Sequence, residues 1–116
     1  MVGFSQGAIY ISAHLALQYA ARISGKEATL PRKALLIGAA WPKPYAHVFD
    51  FLAEAIPPDG MQLLGCESLH VLGRDDNVNP PDQARDICAR FGSAATSFEH
   101  SGKHIVPVDD TSLDVM

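Results

Sequence analysis

Five residues near the start of the chain, Gly3-Phe4-Ser5-Gln6-Gly7, place a serine between two glycines in a Gly-x-Ser-x-Gly pattern. A short apolar start precedes the pattern, and a long apolar stretch of helical character follows it. A serine held in a sharp strand-to-helix turn presents its Oγ as a nucleophile, and the free N–H groups that begin the helix favour negative charge beside it. The flanking glycines are expected to remove Cβ atoms that would collide with the neighbouring strand and helix. The indicated chemistry is attack by Ser5 on an acyl carbon.

A serine hydroxyl is a weak nucleophile at its ordinary pKa, so it needs a base within hydrogen-bond reach. Histidine suits that role because its ordinary pKa of about 6.5 lets it take and return a proton near neutral pH. Of the five histidines, His104 lies in a glycine-containing loop after the last predicted strand. The other four lie elsewhere: His14 in a predicted helix, His47 in an irregular stretch, His70 in a predicted strand and His100 at the start of a turn. We therefore predict that His104 is the base.

A buried carboxylate beside the histidine would fix the imidazole tautomer and stabilise the imidazolium. Asp75 and Asp76 both follow a short predicted strand that ends at Gly73. Two later acids, Asp109 and Asp110, are better explained as first-turn acids of a short final helix. We predict Asp76 as the orienting acid, because its place three residues after the glycine turns its side chain back towards the strand ends.

Hydrophobic patterning indicates the elements that must position these residues. Short continuous apolar runs are typical of parallel strands buried on both faces, and apolar residues at i, i+3, i+4 and i+7 are typical of helices. These patterns predict strands at 33–40, 68–73 and 94–99, helices at 7–23, 46–55 and 80–91, and a short final helix. Asn79 is expected to cap the third helix, which begins at the prolines.

Strands that alternate with helices predict an α/β fold, with a mostly parallel sheet flanked by helices, in one domain spanning 1–116. Ligands bind such sheets at the carboxyl ends of the strands. Ser5, Asp76 and His104 each follow a predicted strand, so we expect them to meet at one edge of the sheet. The backbone N–H of Gln6 is the expected oxyanion donor. This chemistry implies neither a metal nor an organic cofactor.

Residues 41–67 form an aromatic, proline-bearing and irregular stretch. This stretch is either an ordinary crossover connection or a lid that forms the wall of an acyl pocket, since such segments carry ligand sites in many enzymes. On the second alternative, Trp41 and Phe49 are candidate substrate contacts.

Composition excludes several other classes of protein. A net charge of −4, with dispersed basic residues, argues against a nucleic-acid surface. No apolar run approaches the length of a transmembrane helix, and no phosphate-binding glycine loop indicates a nucleotide site. Cys66 and Cys88 lie 22 residues apart and match neither a zinc nor a redox spacing. We expect them to be reduced structural thiols, which favours a cytoplasmic location.

Three motifs, in this order, resemble those of a family of serine hydrolases common in fungi, which belongs to the α/β-hydrolase superfamily. They are Gly-Phe-Ser-Gln-Gly-Ala at 3–8, Gly-x-x-Asp at 73–76 and Gly-x-His-x-Val-Pro at 102–107. The resemblance implies an α/β-hydrolase fold with Ser5 as nucleophile, His104 as base and Asp76 as orienting acid. Members resemble carboxylesterases and thioesterases that act on small acyl esters. Some release acyl or polyketide chains from carrier-protein thioesters in secondary metabolism.

The chain departs from the family pattern in two places. Lys103 stands where the family usually has glycine. The resemblance implies further strands before the serine turn and a loop with a second oxyanion donor, and we expect both to lie outside this chain. We therefore expect the chain to be the C-terminal portion of a larger enzyme or the product of a late gene start, and we expect self-association through an open sheet edge. The alternative is a non-catalytic truncated remnant, or a fragment of such a hydrolase that depends on a partner.

Overall fold

The computed structural model describes residues 1–57, 60–61 and 65–116, in which strands alternate with helices along the chain. The strands are β1 (Val2–Phe4), β2 (Lys33–Ile37), β3 (Glu67–Gly73) and β4 (Ala95–His100). The helices are α1 (Gln6–Ile23), α2 (Ala46–Ala55), α3 (Pro81–Arg90) and α4 (Asp110–Val115). Within these residues the strands form one parallel sheet in the order β1-β2-β3-β4. The predicted α/β fold with a parallel sheet flanked by helices is confirmed.

The strands end in register at one edge of the sheet. Phe4 pairs with Ile37, Ile37 with Val71, and Val71 with Phe98. The loops that carry residues 5, 38, 76 and 104 therefore leave the sheet at its carboxyl edge. Strand β1 has a hydrogen-bonded neighbour on one side only among the described residues, and self-association through this open edge stays a prediction.

One hydrophobic cluster holds the helices against the sheet. Residues from α1, α2 and α3 pack together on Ala34 and Leu36 of β2. At its centre, the ring of Phe91 lies 5.5 Å from the ring of Tyr19 and 5.6 Å from that of Phe49, and all three side chains are fully buried. Burial of each such ring stabilises the fold by roughly 1.5–3 kcal/mol, so the helix that follows Ser5 is held firmly in place.

One histidine, His70 of β3, is part of this core. The Nε2 atom of His70 lies 3.0 Å from Oγ of Ser68, and the imidazole contacts the Phe91 ring. Its Nδ1 has no hydrogen-bond partner among the described residues. Burial disfavours the charged imidazolium and lowers the pKa of His70 to about 4, so this side chain is neutral in the folded protein at neutral pH.

Two local expectations need correction. Helix α3 begins after Pro80 rather than after Asn79, whose side-chain amide instead donates to the carbonyl of Gly38 at 2.8 Å. A Cβ at Gly3 would lie 2.6 Å from the backbone of Gly7, as expected for a strand and helix in close approach, but a Cβ at Gly7 would meet nothing within 4 Å. The steric reason given for the second glycine is therefore wrong.

The stretch 41–67 begins with a short 3₁₀-helix, Lys43–Tyr45, and continues into α2, whose bounds match the predicted 46–55. Residues 58, 59 and 62–64 of this predicted lid lie outside the described residues. Whether the stretch acts as a lid stays a prediction. No helix in the part of the chain that the structure describes is both long and apolar enough to cross a membrane.

Candidate active site

Ser5 has a strained backbone between β1 and α1. Its φ of 56° and ψ of −118° lie in a region that residues with a side chain rarely adopt, and among the described residues it alone combines positive φ with a side chain. Two backbone hydrogen bonds hold this turn. The Ser5 N–H donates to the Ile37 carbonyl at 2.9 Å, and the Ser5 carbonyl accepts from the Ile9 N–H at 3.0 Å. Ser5 therefore stands at the start of α1, directly after the end of β1.

His104 joins Ser5 to Asp76. Its Nε2 lies 2.8 Å from Ser5 Oγ, and its Nδ1 lies 2.7 Å from Asp76 Oδ2. An ionised carboxylate only accepts hydrogen bonds, so the neutral imidazole carries its proton on Nδ1 and donates it in a hydrogen bond to Asp76. Its Nε2 then accepts a hydrogen bond from the Ser5 hydroxyl. The structure thus brings together the three residues that the sequence proposed, although 99 positions separate Ser5 from His104.

Asp76 is the most enclosed of these groups, with only 1% of its side chain exposed. Burial opposes ionisation of the carboxyl, but the hydrogen bond from His104 and those from the backbone N–H groups of Asn79 and Val78, each 2.9 Å from Oδ1, outweigh it. The pKa of Asp76 is therefore held below its ordinary value. The neighbouring Asp75 is exposed and makes none of these contacts through its carboxylate, so the preference for Asp76 agrees with the geometry.

Close backbone contact sets the loop of His104 against the loop of Asp76. The Asp75 N–H donates to the Gly102 carbonyl at 3.1 Å, and the Arg74 N–H donates to the His100 carbonyl at 2.9 Å. A Cβ at Gly73 would lie 2.3 Å from the carbonyl oxygen of Lys103, so only glycine permits this approach. Lys103 is exposed, and its presence leaves both hydrogen bonds of the neighbouring imidazole intact.

Three residues that the sequence reasoning missed hold the imidazole in place. The ring of Phe4 lies 5.0 Å from the ring of His104. Gly38, with φ of +65°, lies so close that a Cβ there would be 3.2 Å from Cε1 of His104. Asn79 fixes that glycine through its 2.8 Å bond to the Gly38 carbonyl and supports Asp76 through its own N–H. The sequence does carry one local signal for each residue. Phe4 directly precedes the serine of the Gly-x-Ser-x-Gly turn, Gly38 lies at the end of a predicted strand, and Asn79 follows Asp76 by three positions.

Gln6 is the first residue of α1, so its backbone N–H lies outside the hydrogen-bond ladder of the helix. This N–H follows Ser5 directly and adds to the positive end of the helix dipole. An oxyanion formed on a carbonyl beside Ser5 Oγ would be stabilised there. This position is consistent with the donor role expected for Gln6.

The two aromatic residues proposed as substrate contacts belong to the hydrophobic cluster or pack against it. Phe49 is fully buried in the core, so substrate could reach it only if its neighbours moved. The ring of Trp41 lies 4.9 Å from that of Phe49 and under the guanidinium of Arg90, on the side facing α3. Its backbone N–H donates to Oε1 of Gln83 at 2.8 Å. The structure brings neither residue to the Ser5–His104–Asp76 group, and their binding role stays a prediction.

The chemical capacity of the site is that of a nucleophile with a base. The three side chains form a continuous path for one proton, from Ser5 Oγ to His104 Nε2, with a carboxylate that stabilises the resulting imidazolium. Across the described ranges, no group of three or more His, Cys, Asp or Glu side chains is arranged to hold a metal ion.

Comparison with known proteins gives matches along nearly the whole chain. A family model described as "Serine hydrolase (FSH1)" matches residues 1–116. The chain is 33% identical over 107 residues to a protein named Esterase OVCA2 from Bos taurus, covering 92% of this chain and 42% of that protein. It is 34% identical to the Mus musculus protein of that name and 31% identical to the Homo sapiens one, again covering 92% of this chain, and 41% and 42% of those proteins. The chain thus spans about two-fifths of the length of the curated relatives it matches. All three are mammalian proteins, so the fungal character carried by the resemblance stays a prediction.

Proposed function

This chain belongs to the serine hydrolase (FSH1) family, and from that premise we propose that it cleaves carboxylic esters or thioesters through an acyl intermediate on Ser5. The observation that carries the proposal is the continuous set of hydrogen bonds from Ser5 through His104 to Asp76. The esterase names of the relatives support the reaction class.

In the first half of the reaction, Ser5 Oγ attacks the acyl carbonyl carbon while its proton passes to Nε2 of His104. Asp76 stabilises the imidazolium through Nδ1–H and does not itself take the proton. The carbonyl oxygen becomes an oxyanion that accepts from the Gln6 N–H. The bond to the leaving group then breaks, and His104 returns its proton to the departing oxygen or sulfur.

In the second half, a water molecule takes the place of the leaving group. His104 accepts a proton from the water as its oxygen attacks the acyl carbon, and it returns that proton to Ser5 Oγ when the ester bond to the serine breaks. The products are a carboxylic acid and the free enzyme. Each proton accepted by Nε2 is thus given back within the same half-reaction, and no cofactor takes part.

The proposal also extends to the substrates and the location of the protein. The motif resemblance supports a thioester substrate, including an acyl or polyketide chain on a carrier protein in secondary metabolism. The reaction class supports a small acyl ester as a free substrate. A cytoplasmic location is supported only by the two free thiols, of which Cys66 is buried.

The direct test is labelling of the purified chain with a fluorophosphonate probe, which reacts only with an activated serine. We expect labelling that disappears in Ser5→Ala and is kept in the matched control Ser97→Ala, which changes an exposed serine on β4. Removal of the nucleophile or the base should lower ester turnover by a factor on the order of 10⁴ or more. A soluble, folded wild-type chain that takes no label would contradict the proposal and favour the non-catalytic alternative.

A further inference from the structure

A further buried histidine, His100, lies at the base of the loop that carries His104. It is the last residue of β4, it pairs with Gly73 at the end of β3, and only 6% of it is exposed. The proton path from Ser5 to Asp76 makes no use of its imidazole. A buried polar ring beside the site therefore has contacts that the reaction steps leave unexplained.

The imidazole of His100 lies between the two backbone segments that lead to Asp76 and to His104. A Cβ at Gly73 would lie 3.0 Å from Cε1 of this ring, and a Cβ at Gly102 would lie 3.1 Å from its Nδ1. Each glycine thus brings its backbone directly against the ring, one from the end of β3 and one from the loop after β4. The ring therefore sets the distance between the two segments.

The peptide groups of Gly102 are held from two directions. The Gly102 N–H donates to Nδ1 of His100 at 3.1 Å, and the Gly102 carbonyl accepts from the Asp75 N–H at 3.1 Å. The first bond ties the loop to the imidazole, and the second ties it to the segment that carries the acid. Removal of the imidazole would leave the second bond in place and the N–H without this acceptor.

The backbone of His104 follows Gly102 after a single residue. The Ile105 N–H donates to the Lys103 carbonyl at 3.0 Å, which closes a three-residue turn around His104. A shift of Gly102 therefore has little free chain in which to relax before it reaches the base. The distance that it would change is the 2.8 Å between Nε2 of His104 and Oγ of Ser5.

The hydrogen bond from Gly102 also assigns the tautomer of His100. An N–H donor needs a lone pair to accept it, so Nδ1 of His100 carries no hydrogen and the ring hydrogen lies on Nε2. His104 has the opposite arrangement, with its hydrogen on Nδ1 directed at Asp76. Two histidines four positions apart are thus set in opposite tautomers by their partners.

We propose that His100 is a positioning residue for the base: by accepting the Gly102 N–H at Nδ1, it holds the loop where His104 reaches Ser5. This role rests on the proposed function, because it concerns the transfer of the serine proton. The ring of His100 is enclosed and lies off the proton path. Its loss should therefore lower kcat and leave KM within about twofold of the wild type.

Substitutions of His100 separate the acceptor atom from the bulk of the ring. His100→Asn keeps an acceptor, Oδ1, close to the place of Nδ1, whereas His100→Gln moves the acceptor outwards and His100→Leu has none. Because the Asp75 bond still holds Gly102, we expect a shift of a few tenths of an ångström. A displacement of about 1 Å can cost about 10²-fold in rate, so kcat should fall about five- to tenfold in the Leu and Gln variants. The Asn variant should stay within about twofold.

The first test is hydrolysis of 4-nitrophenyl acetate by the full chain, at a temperature where every variant is folded. The matched control is His70→Leu, which also removes a buried imidazole with one bonded ring nitrogen, at Ser68 in the core. It should lower the free energy of unfolding without changing kcat. If the chain with His100→Leu does not fold, the Asn and Gln variants still make the comparison.

The second test needs no substitution. Nitrogen-15 NMR of the wild-type chain at neutral pH reports which ring nitrogen of each histidine carries hydrogen. We expect hydrogen on Nε2 of His100 and on Nδ1 of His104. A ring that only fills space would have no reason to prefer this tautomer.

Three results would each overturn the role of His100. They are a hydrogen on Nδ1 of His100, a kcat of His100→Leu equal to that of the His70→Leu control, and an Asn variant as slow as the Leu variant. In all three cases Ser5 of the wild type would still take the fluorophosphonate label. A wild-type chain that takes no label and hydrolyses no ester would instead contradict the proposed function, and this role with it.

Discussion

Gly38 should be sensitive to the smallest possible substitution, alanine, for two separable reasons. Its φ of +65° is a conformation in which a Cβ is strained by roughly 1–2 kcal/mol. The added Cβ would also lie 3.2 Å from Cε1 and 3.3 Å from Nδ1 of His104, and 3.6 Å from the ring of Phe4. The first effect lowers the stability of the fold. The second acts on the imidazole alone.

The size of the second effect follows from these distances. Contacts of 3.2–3.3 Å are tighter than ordinary Cβ contacts, so the imidazole must move by a few tenths of an ångström. A displacement of about 1 Å at a reacting group can cost about 10²-fold in rate, so a few tenths should cost about five- to tenfold. The movement also disturbs the 2.8 Å approach of His104 Nε2 to Ser5 Oγ.

Gly25 provides the matched control. It has a similar φ of +74°, but a Cβ there would meet nothing within 4 Å in the described structure. Gly25→Ala and Gly38→Ala should therefore lose similar free energies of unfolding in urea. Only Gly38→Ala should show the five- to tenfold slower reaction with the fluorophosphonate probe, measured at a temperature where both variants are folded. Equal probe rates in the two variants would refute the idea that the glycine makes room for the imidazole.

Three further predictions concern the acid, its support and the core histidine. Asp76→Asn should lower kcat by about 10³–10⁴-fold because the amide cannot stabilise the imidazolium, while Asp75→Asn stays near the wild type; an equal loss in both would point to a general effect of the loop. Asn79→Ala removes the hydrogen bond to the Gly38 carbonyl. It should lower the free energy of unfolding in urea by about 0.5–1.5 kcal/mol and lower kcat several-fold. Unchanged values of both would show that this bond does not support the position of Gly38. In the unfolded chain His70 binds a proton below its ordinary pKa of about 6.5, but in the folded protein it does so only below a pKa of about 4. The free energy of unfolding should therefore fall by up to roughly 3 kcal/mol as the pH drops from about 6.5 to about 4. His70→Leu should remove this part of the pH dependence, and a curve that is unchanged in the variant would contradict it.

Local sequence signals were sufficient to select the three residues that the structure brings together. The turn around Ser5, the strand-ending glycine before Asp76 and the glycine-containing loop of His104 are each read within a few positions of the chain. The parallel sheet then brings strand ends together as a general rule, so the meeting of the three residues follows without knowledge of their side-chain contacts.

The supporting contacts could not be predicted in this way because they join distant segments. Asn79 occupies a sequence position that favours a helix cap, but its side-chain amide instead donates a hydrogen bond to the carbonyl of Gly38, 41 residues away. The composition of residues 41–67 indicates an aromatic stretch, but it does not indicate which of its aromatic rings face the core. The described structure buries Phe49 and instead leaves Tyr45 exposed. Tertiary packing decided both outcomes.

The strand order explains why glycines occupy the ends of the two middle strands. Ser5 follows β1 at one side of the sheet, and His104 follows β4 at the other, so the loop and the imidazole must pass over the ends of β3 and β2. A Cβ at Gly73, the end of β3, would strike the backbone of that loop at 2.3 Å, and a Cβ at Gly38, just after β2, would press on the imidazole at 3.2 Å. Neither glycine carries a reactive group. Together they leave open the path along which His104 crosses the sheet, and the Ser5–His104–Asp76 group depends on this absence of side chains as much as on its own hydrogen bonds.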